Sequence, residues 1–228
     1  MAPQFKNRVT KEEISLMPKV SFQGEIVVVS KKEQIESCAK FLSAQPVLGV
    51  DTETRPAFTQ GVHYPTSLLQ ISSLKRCYLI QLNKVGLPKP IADIFENPSI
   101  IKVGLAFTDD LRGLQRIRPF TPNNCVDIQS IVNQYGILDL GLQKIYAIIF
   151  GQRISKTQRL TNWDKSELSD LQQSYAATDA WATLCIYNAL KKATPLSQKE
   201  VEELVEADRL QHLLQQQNAE TEEHETKE

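Results

Sequence analysis

The sequence predicts an α/β protein built on one sheet of mixed direction, with helices on both faces. Three observations carry that expectation. Residues 66–72 (TSLLQIS) and 77–82 are two apolar runs flanking a short polar turn, the pattern of an antiparallel hairpin. Later runs of strand length alternate with stretches of helical period, as at 100–105 (IIKVGL) followed by 108–117. Finally, residues 47–50 (VLGV), entered through the breaker Pro46, form a buried β-branched run that stops in acid at Asp51-Thr52-Glu53.

Taken in order, residues 1–23 are polar with scattered apolar positions and are expected to form an arm, with Pro18 breaking any helix. A short strand follows at 25–30 (EIVVVS). Ser30 is the expected helix cap, with Glu33 three residues on completing a capping box, ahead of the stripe Ile35, Cys38, Ala39 and Leu42. The acidic strand comes next, then a loop at 55–65 holding two prolines and a glycine, and then the hairpin. A short helix at 91–96 precedes the strand 100–105 and its helix. Residues 125–128 are expected to be an edge strand running into a helix that ends at Tyr135, and 140–150 a further helix stopped by Gly151. A polar, basic segment at 152–164 leads to a long helix at 167–192, with an apolar stripe through Leu168, Leu171, Tyr175, Ala182, Cys185 and Ile186. Beyond Pro195, Val201, Leu204, Val205 and Leu213 suggest one amphipathic helix, and the acidic end NAETEEHETKE is expected to be disordered. The domain expectation is therefore an arm at 1–23, a catalytic body at 24–194 and an acidic extension at 195–228.

The chain has 228 residues, 41% hydrophobic and 23% charged, which excludes general disorder and allows a sizeable core. The net charge of −1 hides an asymmetry: residues 197–228 carry −7, leaving +6 on the rest. A basic body suits a polyanionic partner. Cys38, Cys77, Cys125 and Cys185 are far apart, with no paired spacing, so reduced thiols and a cytoplasmic location are expected rather than a zinc site or disulfides. No run reaches a transmembrane length and the N-terminus has no apolar stretch, so neither a membrane partner nor a signal peptide is expected.

Side chains of a strand alternate faces, so Asp51 and Glu53 point to the same side. Two carboxylates together at the end of a buried strand repel, and a hard divalent cation with oxygen ligands resolves the conflict. Two further acidic islands support this. Asp109-Asp110 opens the helix after IIKVGL. Tyr175 and Asp179, four residues apart, share one helix face among the small residues Ala176, Ala177 and Ala180. Several carboxylates on separate elements are what two-metal phosphodiester cleavage needs: two cations, Mg2+ or Mn2+, about 4 Å apart, activate water and neutralise the leaving oxygen. In this scheme Asp51 bridges the cations, Glu53 and Asp179 complete the first, Asp110 holds the second, and Tyr175 orients or deprotonates the attacking water.

The strings Asp51-Thr52-Glu53, KVGLAFTDDLRGL at 102–114 and YAATD at 175–179 resemble the three motifs of the DEDDy class of 3′–5′ exonucleases. Within that class the chain is most similar to the exonuclease domain of the Werner syndrome protein, and more distantly to ribonuclease D. LLQI after the first motif, LTNW at 160–163 and YAATDAWA at 175–182 extend the likeness, which covers roughly residues 25–192. The resemblance implies a ribonuclease H-like fold and two-metal exonucleolysis releasing nucleoside 5′-monophosphates. Neither a helicase segment nor a full extra nucleic-acid-binding domain is expected, and the arm and acidic end depart from the family pattern. The motif interval to Leu114 favours Asp110 over Asp109. Thr52, Leu69, Lys156 and Arg159 are the expected substrate contacts, with Arg153 in the same basic stretch. Tyr175 stands where a sister class has histidine, so His63 is not cast as a base. Asp127 is expected to cap a helix and Trp163 to anchor packing. Nucleic acid is the expected partner, with DNA favoured by the Werner likeness and RNA the alternative. A catalytically inactive binding module would be marked by a missing acid, and all five catalytic positions are filled.

Overall fold

In the computed structural model, which describes residues 4–225, six strands form a single mixed sheet. They are β1 (Glu25–Val29), β2 (Val47–Thr54), β3 (Thr66–Ser72), β4 (Arg76–Gln81), β5 (Ile101–Gly104) and β6 (Cys125–Asp127), in the spatial order β1-β4-β3-β2-β5-β6. β2, β3 and β4 form an antiparallel meander. β1 joins β4 in parallel on one side, and β5 and β6 join β2 in parallel on the other. The hairpin places β2, the acidic strand, at the centre.

Helices cover both faces. The alternation of β2 sends Leu48 and Val50 to one face, where they are fully buried with Leu69 and Ile71 of β3. That face is closed by α2 (Ile35–Ser43), α4 (Lys89–Glu96) and α5 (Phe107–Ile117). Burying side chains of this size contributes about 1.5–3 kcal/mol each, so this layer anchors the sheet. The opposite face is covered by α7 (Asp170–Leu190), whose small residues Ala176 and Ala177 are buried with Leu68, Cys77 and Leu79. α6 (Leu142–Phe150) packs beside α7 with Ile145 and Tyr146 buried. Among the described residues, no helix is long and apolar enough to cross a membrane.

Several local expectations are corrected. Ser30 and Glu33 do not form the cap before α2. Gln34 does that work, its Oε1 accepting from the backbone N–H of Ser30 (2.9 Å) and Lys31 (3.0 Å) after a 3-10 turn at Lys32–Gln34. The helix expected up to Tyr135 is two 3-10 turns, Ile128–Ser130 and Val132–Tyr135. Buried Ile128 and Val132 mimic helical spacing, but Ile131 between them leaves the helical region at φ −121°, ψ −19°. Leu171, placed on the apolar stripe of α7, is 69% exposed in the helix's first turn.

The arm, apart from residues 1–3 outside the described range, is docked. It holds α1 (Lys11–Leu16), closed by a Thr10–Glu13 capping box, and buries Val9, Ile14 and Phe22. The extension beyond Pro195 is helical as α8 (Gln198–Glu225), and the helix continues through the part expected to be disordered. Residues 226–228 of that part lie outside the described residues.

Candidate active site

The site forms where β2 outruns its parallel neighbour. β5 pairs with β2 only over Val47–Gly49, after which the chain leaves β5 and turns into α5. Asp51, Thr52 and Glu53 therefore keep β3 as their ladder partner, with a register shift between Glu53 and Thr54 ending the regular strand. This is the carboxyl end of a strand at a point of changing direction, where open α/β sheets bind ligands.

Gly49 brings the third element in. A Cβ at Gly49 would lie 2.0 Å from the Ala180 carbonyl oxygen and 2.9 Å from Leu184 Cβ, so only glycine lets α7 lie this close to β2. Thr183 locks the contact by donating its hydroxyl to the carbonyls of Val103 (3.2 Å) and Ala180 (2.8 Å). Asp179, one residue before Ala180, is thereby delivered to the acidic end of β2. Ligand oxygens of Asp51, Glu53 and Asp179 all lie within 4.8 Å of one another.

Three carboxylates so close, and largely withdrawn from water, cannot all stay ionised without a cation. Burial holds Asp51 well above the ordinary carboxylate range, and Asp179, Asp110 and Glu53 push it further. Glu53 is pushed up to about 9 by burial, then by Asp179 and Asp110, with Arg159 partly opposing. Burial raises Asp179 to about 7, against the hydrogen bond from Tyr175 and the charge of Lys156. The cluster offers oxygen ligands only, without histidine or thiolate, so the residues fit a hard divalent cation of the Mg2+ or Mn2+ type.

Asp110 approaches from the other side of the strand. Thr52 alternates away from Asp51 and Glu53 and donates its hydroxyl to Asp110 Oδ1. Burial raises Asp110 to about 6, with the Thr52 hydrogen bond opposing. Asp109, by contrast, is exposed and pairs with Arg112 at 3.4 Å, so it belongs to the helix surface. Asp127 sets the start of α5: its carboxylate accepts from the N–H groups of Ala106 and Phe107, both at 3.0 Å, and pins Ala106 at φ 53°. The same carboxylate caps the turn at Gln129, as expected of it. Lys102, which opens the second motif, is fully buried and donates to the carbonyls of Asn97 (2.7 Å) and Ile100 (2.8 Å); it shapes the entry to β5.

Tyr175 lies one turn before Asp179, and its hydroxyl interacts with that carboxylate. Burial, then Asp179 and Glu53, raise its pKa, so the phenol keeps its proton in the cation-free site. Its ring packs 6.0 Å from that of Trp163, which is 1% exposed and is the packing anchor expected. Lys156 and Arg159 are close enough to act electrostatically on Asp179 and Glu53 respectively.

Two expectations fail here. Arg153 does not face the site: its Nε donates to the Met17 carbonyl (3.0 Å), and its backbone bonds to Pro18 and Val20, so it fastens the arm. Leu69 is fully buried on the α5 side of the sheet, because residues paired across from Thr52 share that core-facing side, and it cannot touch a substrate. Thr52 is in the site, but its hydroxyl is committed to Asp110. His63 is an exposed loop residue and is not one of the clustered ligands.

A cleft of about 540 Å3 runs from Thr52, Glu53 and Asp110 past Arg55, Tyr64, Arg116 and Arg159. The Arg55 guanidinium lies 4.7 Å over the Tyr64 ring. Sequence reasoning missed Arg55, Tyr64 and Arg116; no motif marks them, although a basic residue nearly two turns beyond the acidic start of α5 was visible. A larger cavity of about 670 Å3 lies at the other end of the sheet, against Phe41, Pro46 and Val47. Its one carboxylate, Glu25, is already paired with Arg76 at 2.6 Å, so it lacks the chemistry of the cleft.

Residues 26–195 match the family model described as 3′–5′ exonuclease. The chain is 29% identical over 181 residues to Exonuclease 3′-5′ domain-containing protein 2 of Mus musculus, a match covering 72% of this chain and 28% of that protein. It is 27% identical over 184 residues to the Bifunctional 3′-5′ exonuclease/ATP-dependent helicase WRN of Mus musculus, covering 76% of this chain and 13% of that protein. The chain thus spans less than a third of the length of either relative. Its fold resembles the crystal structure of Escherichia coli RNase D, an exoribonuclease, with a TM-score of 0.65 at 22% identity, over 84% of this chain and 51% of that one.

Proposed function

We propose that this chain, which belongs to the family of 3′–5′ exonucleases, removes nucleotides one at a time from the 3′ end of a DNA strand and releases nucleoside 5′-monophosphates. The observation that carries the mechanism is the convergence of Asp51, Glu53 and Asp179, from a strand end and a helix, within 4.8 Å. These three would hold one divalent cation, with Asp110 available to a second. Mg2+ or Mn2+ bound there would supply charge neutralisation at the scissile phosphate and a water of lowered pKa.

The remaining work falls to the chain's own groups. Tyr175, one turn from Asp179 on the same helix, orients the attacking water. Trp163 behind its ring fixes that orientation. Thr52 keeps Asp110 turned toward the site and favours its ionised form. Lys156 and Arg159 contact the phosphates nearest the cut, and the cleft past Arg116 takes the strand upstream. Backbone contacts of this kind carry no sequence code, so base preference is slight.

The reading of DNA as substrate rests on the resemblance of the three motifs to those of the Werner-type exonuclease. Matched DNA and RNA oligonucleotides, labelled at either end and incubated with Mg2+ or Mn2+, test it. A 5′-labelled DNA should give a descending ladder, a 3′-labelled one an immediate mononucleotide, and RNA a slower version of both. Faster cleavage of RNA would transfer the assignment to an exoribonuclease. Nicking of a circular single strand would overturn exonucleolysis itself.

A further inference from the structure

Gln70 is the polar group of the core that nothing above explains. It sits in β3, fully buried, and pairs directly with Asp51 across the antiparallel β2–β3 ladder. Directly opposed residues of such a ladder point to the same face. Gln70 therefore lies beneath α7, beside the carboxylate cluster, between Leu68 and Ser72 of its own strand. Neither its Oε1 nor its Nε2 has a hydrogen-bond partner among the described residues.

Other buried glutamines are not left this way. Gln81 donates to the Lys165 carbonyl at 3.2 Å, and Gln172 donates to the Thr161 hydroxyl at 3.1 Å and the Asn162 carbonyl at 3.2 Å. A buried amide without partners costs stability, and an apolar side chain of the same length would fill the space without that cost. An unpartnered amide next to Asp51 is thus placed for a contact that the cation-free site does not make.

From this juxtaposition we propose that Gln70 is a positioning residue of the carboxylate site: in the cation-bound protein its Nε2 group donates to the Asp51 carboxylate and fixes which oxygens face the cation. The inference rests on the cluster being the cation site of the exonuclease reading. Donors behind metal-binding carboxylates orient them, and their loss typically weakens metal binding or activity about 10–100-fold. Gln70 does not touch substrate; it acts through Asp51.

The test is Gln70→Met, which keeps an unbranched chain of similar length and deletes the amide. The metal-free variant should melt at or above the wild-type temperature, since it loses an unsatisfied buried group. Its Mn2+ affinity, read by electron paramagnetic resonance of the free ion, should fall about 10–100-fold, with kcat lowered and KM for an oligonucleotide unchanged. Unchanged Mn2+ binding and kcat would overturn the proposal, as would a lower melting temperature without metal, which would make the amide a structural prop. Should Gln70→Met fail to fold, the wild-type protein decides. The Gln70 side-chain amide resonances should shift, and their proton exchange should slow, on titration with Mg2+; resonances that stay in place overturn the proposal. Normal Mn2+ weakening by Gln70→Met in a chain that cleaves no 3′ end would sustain this inference while sinking the exonuclease reading. Full cleavage and full Mn2+ affinity in the variant would do the reverse.

Discussion

Gly49→Ala probes the closest approach in the site. The added Cβ would lie 2.0 Å from the Ala180 carbonyl oxygen, where ordinary contact begins at 3.4 Å, so α7 must retreat by about 1.4 Å. The obstacle is backbone, with Leu184 Cβ and the Thr183 hydroxyl each 2.9 Å away, and no flexible side-chain end can move aside to spare the helix. Overpacking of this kind costs about 1–3 kcal/mol, or about 2–12 °C in melting temperature for a chain of this size. Asp179 and Tyr175 ride on the displaced helix, and a misplacement of about 1 Å can cost about 100-fold in rate. The assay is kcat on a 5′-labelled oligonucleotide beside a thermal melt. Gly141→Ala serves as control, since a Cβ there meets nothing within 4 Å and its φ is −86°. Wild-type turnover and melting in Gly49→Ala would refute the claim that this contact sets the distance between β2 and α7.

Tyr175→Phe deletes a hydroxyl and keeps the ring against Trp163, so kcat should drop about 10²–10⁴-fold with an unchanged cation titration; an altered titration would make the tyrosine part of the metal shell. Thr52→Val removes the donor that favours ionised Asp110, whose pKa then rises above about 6, so the acidic limb of the pH–rate profile should move to higher pH. Without metal, stability should fall as pH rises from about 4 through about 9. Glu53 at about 9 and Asp179 at about 7 keep protons in the folded state that the unfolded chain has already released, so the unfolded chain binds fewer protons and alkali favours it. Thermal melts in chelator at pH 5 and pH 9 measure this, and added Mg2+ should abolish the difference; a flat profile in chelator would contradict the crowding of the carboxylates.

The acidic strand was legible because a period of two needs only a strand boundary, and Pro46 supplied one. Tyr175 and Asp179 were legible for the same kind of reason, since four residues on a helix return to one face. The hairpin was legible too, whereas the places of the parallel strands β1, β5 and β6 were not. What escaped were decisions made by tertiary contact. Nothing local in residues 4–23 shows that Phe22 is buried against α7 or that Arg153 fastens this segment. Gln34 displaced Ser30 as cap because a longer side chain reached back to two N–H groups at once. Leu69 and Gln70 are neighbours in LLQI, and only the register with β2 shows which one faces the carboxylates. Asp110 differs from Asp109 by the presence of Thr52, a residue 58 positions away.

The most direct measurement compares wild-type protein with Asp51→Asn, both stripped with chelator, on a 5′-labelled single-stranded DNA. Mn2+ binding and cleavage are followed together as the ion is titrated back. Asp51 sits among three other carboxylates, and its loss should weaken binding and abolish the 3′-shortening ladder in step. The chelated wild type should be inactive and recover fully on addition of the ion. A ladder that persists in excess chelator, or that forms at the wild-type rate in Asp51→Asn, would contradict the assignment of this cluster as the metal-dependent centre.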